Sequence, residues 1–183
     1  MTRLYLVRHG EPSGTWADSA DPGLTELGRQ QAQIAADRIR LMQPKQIVTS
    51  PLRRAVETAM PLSFAMSFEP IVVPQIAEIP TPANMNLEHR GDWLRAIMGR
   101  SWSQTDPDLR QWRDVVVSGL TRLQVDTAVY SHFVAINAAL GASIGDDRVL
   151  CFRPAHASVT ILETNGRAIS LVEIGQTAET TVG

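Results

Sequence analysis

Arginine and histidine side chains recur within a few residues after short apolar runs of this sequence. The residues concerned are Arg8 and His9, then Arg53 and Arg54, and finally His132. A guanidinium group matches a phosphate group with paired N–H donors, and an imidazole can attack phosphorus or donate a hydrogen bond. Together these residue types predict a site for an anion, and phosphate is the guest that suits them best.

The apolar runs before these residues have the length and composition of buried strands. We predict strands at residues 4–7, 47–49 and 128–130, and further strands at residues 71–73, 159–162 and 169–172. In open α/β sheets, ligands bind beyond the carboxyl ends of the strands. The basic residues after the first, second and fourth strands are therefore expected to meet at one edge of the sheet.

Helices are predicted between the strands. Thr25 is placed to cap a helix whose apolar positions begin at Leu27, and a second helix is expected from Arg53 onwards. Pro107 suits the first turn of a later helix, and Gly141 is expected to end the helix that follows His132. This alternation predicts a three-layer αβα sandwich around a mostly parallel sheet, with residues 1–183 forming a single domain.

Composition limits the partners that this chain is expected to bind. The formal net charge is -2 and the pI is about 6.1, so no overall positive field attracts nucleic acid or an anionic membrane. The single cysteine, Cys151, cannot form an intramolecular disulfide, and no Cys/His spacing indicates zinc. Without a long apolar stretch at the N-terminus, we expect a cytoplasmic protein that uses neither a metal nor a cofactor.

Four blocks of sequence resemble the histidine phosphatase, or phosphoglycerate mutase-like, superfamily. The first block, LVRHGE, carries the Arg-His-Gly signature of that family, and the other blocks follow in the order typical of it. An Arg-His-Gly triplet alone is a weak signal, whereas four ordered blocks are a strong one. The blocks are residues 6–11 (LVRHGE), 21–28 (DPGLTELG), 49–59 (TSPLRRAVETA) and the pair Ser131-His132.

The resemblance implies a phosphoglycerate mutase-like fold and a role for each basic residue. His9 would be the nucleophile that forms a phosphohistidine, and Arg8, Arg54 and His132 would bind the phosphoryl oxygens. This agrees with the chemistry, because phosphoryl transfer requires positioning and fixed positive charge around the equatorial oxygens. Neighbouring cations also disfavour protonation of His9, which would keep the imidazole neutral for attack.

The resemblance further implies an acid that protonates the leaving group. We match Glu78 to this general acid, while Glu11, Glu88 and Asp92 remain alternatives. Many members of the family have a phosphate-contacting asparagine after the first block, where this chain has Thr15, whose hydroxyl could make the same contact.

The basic residues also have structural explanations. The arginines could be surface ion-pair partners of nearby carboxylates, and His132 could be a core histidine bonded to a carbonyl group. We expect a supporting hydrogen bond from His156 and an exposed position for His89. The ion pairs in question are Arg8 with Glu11 and Arg54 with Glu57.

These features favour a metal-independent phosphatase that acts on a phosphorylated small molecule or a phosphoprotein. The segment Pro80-Thr81-Pro82 stands where mutases of the family have a different stretch, and the short chain argues against the closed lid that a mutase needs. The alternatives are a phosphoglycerate mutase-type phosphoryl transfer and a non-catalytic, phosphate-binding regulatory protein. The sequence sets no oligomeric state.

Overall fold

A six-stranded sheet forms the centre of the computed structural model, which describes residues 1–14 and 21–178. Its spatial order is β3-β2-β4-β1-β5-β6. The first four strands in the chain run parallel to one another, and β5 and β6 join as an antiparallel pair at one side. The strands are β1 (Thr2–Arg8), β2 (Gln46–Thr49), β3 (Ile71–Val72), β4 (Thr127–Ser131), β5 (Val159–Thr164) and β6 (Ile169–Glu173).

Five α-helices within the described residues complete the architecture. Helices α1 and α2 pack on one face of the sheet, and α4 and α5 pack on the other, which confirms the predicted three layers. The short helix α3 lies with α4 and α5 in a separate apolar cluster. The helices are α1 (Glu26–Leu41), α2 (Arg53–Met66), α3 (Arg90–Met98), α4 (Pro107–Thr121) and α5 (Phe133–Ile144).

Alternation along the central strand explains the two cores. In β1, Leu4 and Leu6 face α4 and α5, whereas Tyr5 and Val7 face α1 and α2, because successive side chains of a strand point to opposite faces. A strand that is buried on both faces is apolar throughout, as residues 4–7 are. Burying each such side chain contributes about 1.5–3 kcal/mol to folding.

The parallel arrangement brings the ends of three strands together. Because β4 lies between β1 and β2, the segments that follow these strands are neighbours. The amide of His9 donates to the carbonyl oxygen of Ser131 across 3.1 Å, and the amide of Ser50 donates to that of Tyr130 across 3.0 Å. These bonds continue the sheet's pairing beyond the strands and hold the three turns in register.

Two predictions about helix boundaries have different outcomes. Thr25 caps α1 as expected, with its hydroxyl accepting from the amide of Gly28 at 2.9 Å, although Leu27 faces solvent with 51% of its surface exposed. Gly141 does not end α5, so that prediction was wrong. The helix continues to Ile144 and ends at Gly145, whose φ of 70° is left-handed.

Gly141 instead lets another segment approach the helix. A Cβ atom at this position would lie 2.8 Å from the backbone oxygen of Asp146, so a larger residue would push the following turn away. The glycine at position 141 is therefore explained by close packing and not by the end of the helix. No helix in the described parts of the chain is long and apolar enough to cross a membrane.

Candidate active site

A cavity of about 270 Å³ opens at the carboxyl edge of the parallel strands. Both titratable and apolar residues line it. The titratable ones are Arg8, His9, Arg54, Glu78 and Arg153, and the remaining ones are Pro12, Gly14, Pro22, Leu94, Met98 and Phe133. The position agrees with the rule that α/β sheets bind ligands beyond their strand ends.

His9 lies at this cavity with its ring held in one orientation. Only 6% of the residue is exposed, and its Nδ1 lies 2.7 Å from the carbonyl oxygen of Gly10. Because a carbonyl oxygen only accepts, Nδ1 carries the proton, and the lone pair of the neutral ring is on Nε2. Burial, then the charges of Arg8 and Arg54, hold the pKa of His9 well below 6.5. The cations act as predicted, but burial has the larger effect.

Close packing against α1 and α2 fixes the backbone around His9. The amide of Gly10 donates to the Thr58 hydroxyl at 3.0 Å, and that hydroxyl donates to the carbonyl oxygen of Arg54 at 2.6 Å. A Cβ on Gly10 would lie 2.4 Å from the backbone oxygen of Gly28, which leaves room only for glycine. The turn that orients His9 is thus joined to the helix that carries Arg54.

The same loop has few backbone amides left for an anion. The amide of Gly10 is used by Thr58 and that of Glu11 by the Gln31 side chain at 2.8 Å. No helix starts there either, since α1 begins at Glu26. Positive side chains, and not these amides, are what the cavity offers to an anion.

Arg54 and Arg8 reach the cavity from two sides. Arg54 stands in the first turn of α2 and is 2% exposed. The guanidinium of Arg8 donates to the carbonyl oxygen of Pro154 at 2.7 Å and lies 5.1 Å from the centre of the Phe133 ring. Burial lowers the pKa of both, that of Arg8 to about 10, so each remains charged at neutral pH.

The ion pairs in the structure differ from those offered as a structural explanation of the arginines. Glu57 pairs with Arg53 at 2.6 Å, and the Arg54 guanidinium lies 3.9 Å from the carboxylate of Asp21. Arg53 is exposed, so it does not join the other basic residues at the cavity. The two adjacent arginines of α2 thus lie in different surroundings, Arg53 in solvent and Arg54 at the cavity.

His132 lies beside His9 but does not line the cavity. The two ring centres are 5.3 Å apart, and His132 has no exposed surface. Its Nε2 lies 2.7 Å from the hydroxyl of Ser50, and not against a carbonyl group as the alternative explanation required. Its Nδ1 is buried without a hydrogen-bond partner among the described residues. Burial, with the charges of His9 and the nearby arginines, holds the pKa of His132 well below 6.5.

Glu78 is the carboxyl group that the structure brings to His9 and the arginines. It accepts from the amide of Ile79 at 2.9 Å and from that of Val134, in the first turn of α5, at 3.2 Å. Burial raises the pKa of Glu78, although these amides and the charges of Arg54 and Arg90 oppose the shift. The group is therefore both a cap for α5 and a candidate proton donor.

The alternative acids lie elsewhere. The carboxylate of Glu11 accepts from the hydroxyl of Thr25 at 2.7 Å, and Glu88 and Asp92 are exposed. None of the three lines the cavity. Thr15, the predicted phosphate contact, falls outside the described residues and remains a prediction.

Two basic residues near the site, Arg90 and Arg153, had no expected part in it, and a third, His156, was expected to give only a supporting hydrogen bond. Arg90 is 2% exposed and donates to the carbonyl oxygen of Ile79 at 2.8 Å and to the Thr81 hydroxyl. Arg153 lines the cavity, and the His156 ring lies 5.9 Å from that of His9, while its supporting hydrogen bond remains a prediction. Arg153 and His156 come from irregular segments and Arg90 from the first residue of the short helix α3, where no periodic pattern points to them.

A neutral, buried histidine between two charged arginines, at the strand ends of an αβα sandwich, defines a class of phosphate-handling proteins. The chain belongs to branch 1 of the histidine phosphatase superfamily, which matches residues 4–177. The resemblance drawn from the four sequence blocks is confirmed. Among the described residues, no group of three or more His, Cys, Asp or Glu side chains is arranged to hold a metal ion.

The curated relatives that the chain resembles are named for two different activities. The chain is 31% identical over 116 residues to phosphoserine phosphatase 1 of Hydrogenobacter thermophilus, covering 61% of this chain and 51% of that protein. It is 30% identical over 123 residues to a probable phosphoglycerate mutase of Yersinia pestis, covering 65% of this chain and 51% of that protein. The chain spans about half the length of these relatives.

Solved structures confirm the phosphoglycerate mutase-like fold. A phosphoserine phosphatase of Entamoeba histolytica, in complex with 3-phosphoglyceric acid, superposes with a TM-score of 0.72 at 23% identity, over 97% of this chain and 98% of that one. A mycobacterial glucosyl-3-phosphoglycerate phosphatase in complex with VO3 gives 0.71 at 21% identity, over 97% and 100%.

Proposed function

We propose that the protein is a phosphatase that hydrolyses a phosphomonoester through a phosphohistidine on His9. The bond between Nδ1 of His9 and the oxygen of Gly10 is the observation that carries this proposal. It leaves the Nε2 lone pair for attack and fixes the direction of the ring. A neutral nucleophile in a cationic pocket is what phosphoryl transfer from an anion requires.

Two transfers complete the reaction. In the first, Nε2 of His9 forms a bond to phosphorus, the bond from phosphorus to the leaving oxygen breaks, and Glu78 protonates that oxygen. In the second, water attacks the phosphohistidine, Glu78 takes a proton from it, and the bond to His9 breaks. Arg8 and Arg54 hold the phosphoryl oxygens in both steps. Burial favours the protonated form of Glu78, which is the form needed first.

The shape of the cavity supports a small phosphomonoester as the substrate. Its volume of about 270 Å³ is close to the lower limit of about 300 Å³ for small-molecule pockets. Leu94, Met98 and Phe133 add apolar surface to the cavity for the leaving group. The relatives named above act on phosphorylated small molecules by their names, which agrees with this choice over a phosphoprotein.

The test is turnover of p-nitrophenyl phosphate in EDTA between about pH 5 and 8, a range around the histidine pKa. We expect activity in the wild type, none in His9→Ala, and full activity in His89→Ala, which removes an exposed histidine. Loss of turnover in EDTA would contradict the metal-independent mechanism. Phosphate binding by the wild type without turnover would instead support a regulatory protein.

A phosphoglycerate mutase is the second candidate, because one of the curated relatives carries that name. A mutase returns the phosphoryl group to its substrate, whereas a phosphatase passes it to water. With 3-phosphoglycerate as the substrate, we expect inorganic phosphate to be released. Isomerisation with little release of phosphate would favour the mutase.

A further inference from the structure

Ser50 is a buried residue to which neither the motifs nor the proposed mechanism gives a role. It follows β2 directly, has no exposed surface, and its hydroxyl lies 2.7 Å from Nε2 of His132. The same hydroxyl oxygen accepts from the amide of Leu52 at 3.2 Å. The turn that leads from β2 to α2 thus fixes where this oxygen lies relative to the histidine.

Counting protons at this contact distinguishes the two neutral forms of His132. A serine hydroxyl has one hydrogen, and a neutral imidazole has one N–H and one acceptor nitrogen. If Nε2 carried the proton, it would donate to Ser50. The hydrogen of Ser50 would then have no acceptor among the described residues, and the Nδ1 lone pair of His132 would have no donor. Two buried groups would be left without partners.

The other neutral form of His132 leaves only one buried polar group without a hydrogen-bond partner. If Nδ1 carries the proton, the hydroxyl of Ser50 donates to Nε2, accepts from Leu52, and is fully satisfied. What remains is the Nδ1–H of His132, buried beside His9. A buried donor without a partner is unfavourable, so this N–H favours any acceptor that comes within reach.

We propose that Ser50 is a positioning residue that holds His132 in its neutral Nδ1–H form, so that this N–H makes the contact with a phosphoryl oxygen that the family resemblance assigns to His132. This role rests on the proposed function, since it needs a phosphoryl group at His9. This donor adds no net charge, so the binding of phosphate depends on the charges of the arginines. His132 determines the direction of one hydrogen bond to the phosphoryl group. A substitution at Ser50 then changes which ring nitrogen of His132 carries the proton, while the imidazole ring itself is retained.

The proton's place can be measured in the resting protein by NMR of ¹⁵N-labelled histidine. The chain has four histidines, so His132 can be assigned from single substitutions at the other three. We expect Nδ1 of His132 to show a protonated signal and Nε2 an unprotonated one in the wild type. In Ser50→Ala, we expect a mixture of both forms, and in Ser50→Cys, whose thiol is a weaker donor, a partial return.

Ser131→Ala is the matched control, because Ser131 is also buried and adjoins His132 but donates to the carbonyl oxygen of Ile76 at 2.7 Å. It should leave the ring signals unchanged. In turnover, Ser50→Ala should lower kcat about 10-fold or more, with little change in KM. Proton on Nε2 in the wild type, or unchanged signals and kcat in Ser50→Ala, would overturn the proposal. The NMR result does not depend on turnover, so it is separable from failure of the phosphatase proposal, which the His9→Ala assay tests.

Discussion

The Nδ1 atom of His9 donates a hydrogen bond to the carbonyl oxygen of Gly10 across 2.7 Å. The acceptor belongs to the next residue in the chain, so the geometry depends on the conformation of a single turn. That turn is fixed by contacts of Gly10 with Thr58 and Gly28. The orientation of the His9 ring is therefore set by the packing of the turn after β1 against α1 and α2.

Adjacent arginines of α2 offer a matched test of phosphate binding. Arg54→Lys keeps a charge but loses the planar fork that binds two oxygens, so we expect kcat/KM to fall about 100-fold or more, since a Lys for Arg exchange at such a site is not conservative. Arg53→Lys changes an exposed neighbour and should change kcat/KM less than about 2-fold. Steady-state kinetics with p-nitrophenyl phosphate measures both. Equal effects of the two substitutions would show that Arg54 has no special part in binding phosphate.

Glu78 should matter most when the leaving group needs a proton. Glu78→Gln should lower kcat for an alkyl phosphate by about 10²–10⁴-fold, the usual contribution of a general acid, and for p-nitrophenyl phosphate much less. Because burial raises the pKa of Glu78, activity on the alkyl phosphate should fall as pH rises through that pKa. Glu88→Gln, at an exposed alternative, should change neither value. A loss in Glu88→Gln of similar size would reassign the acid.

Buried histidines should make stability depend on pH in a defined direction. Burial lowers the pKa of His156 to about 4. Between about 6.5 and 4 the unfolded chain takes up a proton that the folded chain does not, so acid favours unfolding. Stability is fully present above this range and is lost as pH falls through it. His156→Gln should reduce the slope of the unfolding free energy by less than about 1.4 kcal/mol per pH unit, because the ring is partly exposed.

Urea unfolding at several pH values measures that slope. His89→Gln is the control, since His89 is exposed and a substitution there should leave the slope unchanged. A slope that His156→Gln leaves unaltered would mean that the ring titrates alike in the folded and unfolded chains.

Two glycines in helices should respond in opposite directions to alanine. In Gly28→Ala, the new Cβ would lie 2.3 Å from the backbone oxygen of Glu11, so we expect a loss of about 3 kcal/mol from overpacking and lower activity as the His9 turn shifts. In Gly119→Ala, within α4, the new Cβ meets only the Gln75 side chain at 3.8 Å. There we expect a gain of about 0.5–1 kcal/mol from helix propensity. Chemical denaturation measures both, and a tolerated Gly28→Ala would contradict the close contact.

Sequence reasoning located the parts of the site that follow buried strands. Apolar runs of strand length are easy to recognise, and the rule for strand ends then places Arg8, His9 and Arg54 together without any knowledge of side-chain contacts. Thr25 was predicted for a similar reason, because the requirement of a helix N-terminus is local.

Contacts made by irregular segments were not predictable in the same way. Arg153 reaches the site from an irregular segment and Arg90 from the start of the short helix α3, and their positions depend on how these segments pack on the finished sheet. Gly141 shows a related problem, because a glycine in a sequence can indicate either a turn or a close packing contact. The bond between Ser50 and His132 joins residues 82 positions apart and needs the sheet order to be known.

The most direct test of the account is the chemical identity of the covalent intermediate. The enzyme is mixed with a phosphomonoester, quenched rapidly in base, and digested for mass spectrometry, because a phosphohistidine survives base but not acid. We expect a phosphoryl group on His9 in the wild type and none in His9→Ala. A turning-over enzyme whose phosphoryl group lies on another residue, or that forms no covalent intermediate on the time scale of turnover, would contradict it.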